Sequence, residues 1–243
     1  MAAGDLRTQN MDTALGLAWH LINPLLLVAV YFLVFGGILQ IDRGVDNYLA
    51  FLVVGIFTYN FSQKSITSGA RSIADNLSLI RSINFPRALL PLATVLAQAI
   101  TLVPSVVVVL TVSLLAGVEA TWNWLALPLV YVAQAVFNLG GTFIVARAAS
   151  HVRDIKNLLP HVFRIVFYVS GLLFAVDALD LTSRQQMLFT LNPFYCYIEL
   201  ARWSVMARPV GLGELLSAVV WTVAIVVVGF TWFRKGEPSF GQG

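Results

Sequence analysis

Charge is what this sequence has least of. Asp, Glu, Lys and Arg make up 11% of its 243 residues, 58% are hydrophobic, and mean hydropathy is +0.82. A soluble domain carries about 25% charged residues, so this chain has too little polar surface to cover a globule of its size. That excludes a soluble protein. The single cysteine, Cys196, has no partner within the chain for a disulfide. A G-x-x-x-x-G-K-[ST] phosphate loop is missing, as is a G-x-S-x-G nucleophile elbow. The three histidines, His20, His151 and His161, have no second ligand at metal-binding spacing. Catalytic residues and metal ligands are therefore expected to be absent. There is no basic run interleaved with aromatics, so the pI of about 9.2 does not indicate a nucleic-acid partner. The N-terminal dozen residues are polar and the apolar run after them has no small-residue cleavage site, so no signal peptide is expected.

What is present is a set of long uncharged runs. Residues 13–41, 47–63, 88–118, 120–146, 165–176, 185–198 and 215–233 hold no Asp, Glu, Lys or Arg, and together they exceed half the chain. A membrane-crossing helix needs about 20 mostly apolar residues. Residues 102–116 and 219–230 are apolar on every face, without the alternation of a barrel strand. Backbone in lipid then has to bond within a helix. The pattern predicts an all-α integral membrane protein, one transmembrane domain over residues 1–243. Six spans fall at about 17–39, 48–67, 89–116, 125–146, 158–176 and 212–233. Arg164 interrupts the fifth, and His20 is the other ionisable group near a span interior. The spans lack Asp and Glu except near their ends, so energy for transport is expected from outside this polypeptide.

Orientation follows from the Lys/Arg bias of short loops. The segment after span two holds Lys64, Arg71, Arg81 and Arg87 against Asp75, and the segment after span four holds Arg147, Arg153 and Lys156 against Asp154. The C-terminal tail has Arg234 and Lys235 against Glu237. The first loop instead sets Arg43 against Asp42 and Asp46, and the third has only Glu119. Positive segments alternate with neutral or negative ones. Both termini and loops two and four are expected to be cytoplasmic, which an even number of spans also requires.

Loop two is the most informative segment. In residues 69–86, Ile73, Leu77 and Ile80 fall at helical spacing, while Arg71, Asp75, Ser78 and Ser82 take other faces. Pro86 ends any helix here. Such an amphipathic helix either lies on lipid headgroups or docks into a groove on a soluble partner. Asn84-Phe85-Pro86-Arg87, followed by Leu90-Pro91, resembles the signature of permease subunits of type-2 ABC exporters. Within that family it is similar to the branch that exports lipid-linked polysaccharide: O-antigen, capsule, teichoic acid and galactan. Leu15-Gly16-Leu17-Ala18-Trp19 through Asn23-Pro24 resembles the family's opening L-G-x-x-W…P, Arg153-Asp154-Ile155-Lys156-Asn157 its cytoplasmic R-D-I/L motif, and Leu191-Asn192-Pro193 its external N-P motif. The matches cover nearly the whole chain. Two features depart from the family. The interfacial N-terminal helix is short or absent, and Ser170-Gly171 stands where many members have Ser-Pro.

The resemblance implies a transport subunit and not an enzyme, acting in the bacterial cytoplasmic (inner) membrane as a homodimer. Two copies of a separate nucleotide-binding ATPase would dock on loops two and four. ATP and Mg would sit on that partner, with no cofactor in this chain. The substrate would be a lipid-linked polysaccharide, with membrane lipid around the complex. Coupling to the ATPase would fall to Arg71, Asp75, Leu77, Ile80, Arg81, Phe85, Pro86 and Arg87, together with Arg153 and Asp154, although the last two could simply pair with each other. An exporter of drugs or lipids with the same fold, and a gradient-driven channel or carrier, are the alternatives.

The connection at 177–211 holds an apolar middle too short to cross, broken by Asn192-Pro193. It reads as two short helices that dip in and return, tolerated only where protein or a cavity surrounds them. The resemblance implies an external gate there, with Asn192, Pro193, Tyr195 and Tyr197 as candidates. Glu199 and Arg202, three apart, read as an ordinary surface ion pair. Trp19 reads as an interfacial anchor or as part of a substrate entrance. Tyr59, Phe61, Phe137, Phe167 and Tyr168 lie within spans. Core packing accounts for them as well as the sugar-lined channel that the family implies.

Overall fold

A computed structural model describes residues 19–38, 45, 47–82, 85–152 and 154–237, and all regular structure among them is helical. Helix α1 (Trp19–Tyr31) runs on as a π-helical segment, Phe32–Ile38. Then follow α2 (Tyr48–Gly69), α3 (Leu77–Ser82), α4 (Leu89–Leu115) and α5 (Leu127–His151). The chain continues through α6 (Ile155–Val169), α7 (Ser183–Thr190), α8 (Pro193–Met206) and α9 (Leu212–Gly236).

Three segments are long and apolar enough to cross a membrane: Leu89–Leu115, Trp122–His151 and Leu212–Gly236. Their boundaries agree closely with the spans read from the uncharged runs, because charged residues occur only near their ends. Helix α2 is equally well placed but less apolar, since its second half carries Thr58, Asn60, Ser62, Gln63, Lys64 and Ser65. The fifth segment differs most. Helix α6 ends at Val169, well short of the expected 176, because Gly171 adopts φ +60, a left-handed conformation that stops the helix. The break thus falls at Ser170-Gly171, with no proline needed to make it.

Burial is arranged around α2. Nearly every residue from Ala50 to Tyr59 is inaccessible, as expected of a helix packed on all sides, and α4, α5 and α8 surround it. Helices α4 and α9 sit at the periphery and turn Leu96, Val103, Val107, Leu216, Val220 and Val228 outward. Apolar side chains facing outward on helices of this length suit lipid and not water.

Small and polar residues set how closely the helices approach. A Cβ on Gly140 would lie 2.7 Å from the Ile225 carbonyl oxygen of α9, and Gly229 stands against the Gly140 carbonyl in turn. This close crossing is the packing role that small residues play between membrane helices. Between α2 and α5 runs a polar seam. Gln134 Nε2 donates to the Thr58 carbonyl at 2.9 Å and to Ser62 Oγ at 2.7 Å. Thr142 Oγ1 donates to the Ser65 carbonyl at 3.3 Å. These bonds tie the polar half of α2 to α5 through Ser62 and the Thr58 and Ser65 carbonyls.

Candidate functional site

Two regions carry the residues singled out from the sequence. The first lies between α2 and α4. The chain leaves α2 through a tight turn in which Ser72 Oγ donates to the Gly69 carbonyl at 2.7 Å and Asn76 Nδ2 to the Ser72 carbonyl at 2.9 Å. A 3-10 turn (Ala74–Asn76) then leads into α3. Ile73 and Ile80 insert into a second apolar cluster made with Leu90, Phe143, Ala146 and Phe233. Leu77, Leu79, Phe85 and Ala88 pack against it. Arg71, Asp75, Ser78, Ser82 and Pro86 face outward. The periodicity therefore sorted inner from outer faces. The resemblance implies partner coupling for Leu77, Ile80 and Phe85; within the chain all three belong to or pack against this cluster.

Arg87 is bound within the chain. Its backbone N–H donates to Glu237 Oε1 at 2.9 Å, and its guanidinium donates to the Glu237 carbonyl. Arg147 likewise donates to the Trp232 carbonyl and lies 4.6 Å over the Trp232 ring. The end of α9 is thereby tied to both the α3–α4 turn and α5. Asp154 is exposed and its carbonyl accepts from Leu158 N–H at 3.1 Å. Arg153 and the side chain of Arg81 lie outside the described residues, as do the residues 15–18 of the opening motif.

The second region is the connection between α6 and α9. Asn192 caps α8: its side-chain oxygen accepts from Phe194 N–H at 3.0 Å, with Pro193 in the first turn where no N–H is needed. The Asn192 amide also donates to Ser170 Oγ at 3.0 Å, which joins α8 to the end of α6. The Trp221 indole donates to the Leu191 carbonyl at 2.8 Å, and Trp124 to the Val205 carbonyl at 2.9 Å. The Tyr48 hydroxyl donates to the Leu173 carbonyl at 2.9 Å. The ends of α2 and α6, the helix α9 and the turn before α5 each contribute a tie.

At its centre is Arg202, fully buried. Its Nη1 donates to Glu199 Oε1 at 2.7 Å and to the Gly171 carbonyl at 2.9 Å, and its Nη2 donates to the Leu172 carbonyl at 3.0 Å. The guanidinium stacks 3.3 Å from the centroid of Phe51 on α2. Gly55 leaves it room: a Cβ there would lie 2.7 Å from Nη2. The i,i+3 spacing identified the Glu199–Arg202 pair correctly, but the expectation of a surface pair is overturned. Nothing in the linear pattern shows that α2 covers it.

The aromatic candidates within the spans mostly meet one another. The Tyr59 ring lies 5.4 Å from Phe167 and its hydroxyl donates to the Phe163 carbonyl, while Phe137 lies 5.6 Å from Phe194 and 5.5 Å from Tyr197. Phe61 packs edge-on against Tyr131 at 6.2 Å. Tyr195 is buried beside Phe189 at 5.6 Å, and the Tyr197 hydroxyl bonds to Thr222 Oγ1 at 2.6 Å. Tyr168 and Trp19 are exposed. Among the described residues no group of three or more His, Cys, Asp or Glu side chains could hold a metal ion.

Comparison with known proteins accords with this geometry. The family model described as ABC-2 type transporter matches residues 3–206, and the chain belongs to that family. Two proteins from Klebsiella pneumoniae named O-antigen export system permease protein RfbA are 25% and 23% identical over 98% of this chain and 91% of their own length. A protein of the same name from Myxococcus xanthus is 25% identical over 78% of this chain and 72% of its own.

Proposed function

We propose that this chain, as a permease of the ABC-2 type transporter family, exports a lipid-linked polysaccharide across a bacterial cytoplasmic membrane. The observation that carries this reading is the alignment, end to end, with permeases named for O-antigen export. The glycan would be of the O-antigen, teichoic acid or galactan kind. In this reading α1, α2, α4, α5, α6 and α9 are six spans with both termini in the cytoplasm, and α7 and α8 form the re-entrant external connection. The alternating Lys/Arg bias of the loops supports that orientation. Two copies would enclose the route, and two copies of a separate ATPase, holding ATP and Mg, would bind the cytoplasmic side.

The outward face of the α2–α4 segment is suited to that docking. Arg71, Asp75, Ser78 and Pro86 are exposed together, and Ile73 and Ile80 root the same segment in α4, α5 and α9. A pull on the outer face therefore passes into three long helices through packed side chains. ATP-driven closure of the partner would move α3 and reorient the spans.

The test uses the outward residues, since substituting Phe85 would also disturb the apolar cluster. The double variant Arg71→Glu/Ser78→Arg should fold normally yet lose co-purification with the ATPase and stimulated ATP hydrolysis. An intact complex would refute the docking face. A wild-type chain that transports glycan in liposomes without any ATPase would refute the whole reading.

A further inference from the structure

The polar seam between α2 and α5 is bonded at its ends and not at its middle. The Tyr131 and Thr58 hydroxyls lie 3.2 Å apart at one end, Gln134 Nε2 next donates to Ser62 Oγ, and Thr142 Oγ1 donates to the Ser65 carbonyl at the other. Gln134, Asn138 and Thr142 recur every four residues, so they share the face of α5 that looks toward α2. The two helices run in the same direction, with Thr58 and Tyr131 paired 73 residues apart and Ser62 and Gln134 paired 72 apart. By that register Ser65 and Asn138 come level across the seam. Both are fully buried, yet neither bonds the other. Among the described residues, Ser65 Oγ, Asn138 Oδ1 and Nδ2, and Gln134 Oε1 one turn away have no hydrogen-bond partner.

A buried polar atom without a partner costs more than an ordinary hydrogen bond returns, so four in one place call for a shared partner. Their chemistry says of what kind. The two amide oxygens only accept, Asn138 Nδ2 only donates, and the Ser65 hydroxyl does either. A metal cation would face the Asn138 amide hydrogens, and neither α2 nor α5 carries an Asp or Glu to balance its charge. An anion would face two amide oxygens. A small neutral group that donates and accepts meets all four atoms, and water is that group. We propose that the seam is a water-binding site, with water bridging Ser65 and Asn138 and donating to Gln134 Oε1. A buried water makes about three hydrogen bonds, and the three side chains offer that many. Helix α5 then joins its two neighbours by different means. It meets α9 dry, backbone against backbone, where Gly140 and Gly229 cross. It meets α2 wet, through an exchangeable molecule held by Asn138.

The test is a cryo-electron-microscopy map of the full chain in nanodiscs at a resolution that shows ordered water. Density is expected within hydrogen-bonding distance of both Asn138 and Ser65 Oγ. A map without it overturns the proposal, whether or not Asn138 turns to bond Ser65 directly. Substitution supplies an independent sign. Ser65→Ala and Asn138→Leu change shape little. Where a water is shared, each strands the remaining partners and lowers the thermal midpoint by about 2–4 °C, the shift that one net hydrogen bond gives a chain of this size. The double variant should then lose less than the sum of the two, since the second change finds no bridge left to break. In a dry seam each substitution removes unmet polar atoms, so the midpoint rises. A rise in either single variant, or losses that add in the double, overturns the proposal. Ser113→Ala removes another buried, unpartnered hydroxyl, on α4, and should show no coupling to Asn138→Leu. Should Asn138→Leu fail to fold, the map decides.

Discussion

The two connections that flank the bundle are built in opposite ways. The one between α6 and α9 is drawn into the interior: α8 is buried from Tyr195 to Arg202, and Arg202 ties it to α2 and to the end of α6. The one between α2 and α4 is held by two buried isoleucines and their neighbours, with its charged residues left outside. Both contain basic and acidic side chains, so composition does not separate them. Depth does. A cation with a stack, a carboxylate and carbonyl partners becomes a rivet, while a cation in water remains available to a partner. The connection between α6 and α9 is thus built to resist deformation, and the one between α2 and α4 is, on the proposed reading, the one that transmits it.

Arg202→Leu gives the largest expected effect. It strands Glu199 and the Gly171 and Leu172 carbonyls in the interior, and removing one partner of a buried pair costs about 3–5 kcal/mol. The thermal midpoint of detergent-solubilised protein should fall steeply. Glu199→Gln should cost less, about 1–2 kcal/mol, because the other Arg202 bonds persist. Equal midpoints for Arg202→Leu and wild type would show that the connection is not riveted there. Next comes Gly171→Ala. Its φ of +60 is unfavourable for any side chain, and the new Cβ would meet the Tyr195 ring at 3.1 Å. A loss of about 1–3 kcal/mol is expected in the same assay. A neutral result would mean that α6 can extend past Ser170 without disturbing α8.

Much of the α2–α4 segment was legible in the sequence. Ile73, Leu77 and Ile80 repeat with the helical period, and a period is a one-dimensional signal that burial follows. The long outer helices were equally plain, since lipid imposes an uninterrupted apolar run. The connection between α6 and α9 was only half legible. Asn192-Pro193 announced the start of α8, because a cap and a first-turn proline act locally. The end of α6 did not show, for residues 170–176 stay apolar after the helix has stopped, and only Gly171 hints at it. Nor did the rivet. Phe51 and Gly55 lie some 150 positions from Arg202 in the chain, and their pairing depends on how α2 and α8 pack. The tie between Arg87 and Glu237 escaped for the same reason, although both residues had been counted as loop charge.

That tie gives a smaller effect at the α2–α4 segment. Glu237→Ala removes the carboxylate that accepts from Arg87 N–H, but the Glu237 carbonyl still receives the guanidinium. One partly exposed bond should be worth about 1 kcal/mol. If α9 steadies the coupling segment through this contact, the variant should also raise the proteolytic susceptibility of residues 70–88 while the midpoint moves little. Unchanged proteolysis would leave the apolar cluster as the segment's sole anchor.

The smallest effect on stability is the one that sharpens the contrast most. Arg71 and Ser78 are exposed, so reversing or adding charge there should shift the midpoint by less than about 0.5 kcal/mol. The same double variant, Arg71→Glu/Ser78→Arg, is expected to abolish capture of the ATPase. A residue that matters to assembly and not to folding has to act through a surface. Arg202 should show the reverse, an unstable protein whose surviving fraction still captures the partner, because its side chain never reaches solvent. Midpoint and capture measured on both variants separate the two kinds of basic residue. Should the Arg71 variant lose midpoint and capture together, the segment would be part of the core and the distinction between rivet and docking face would collapse.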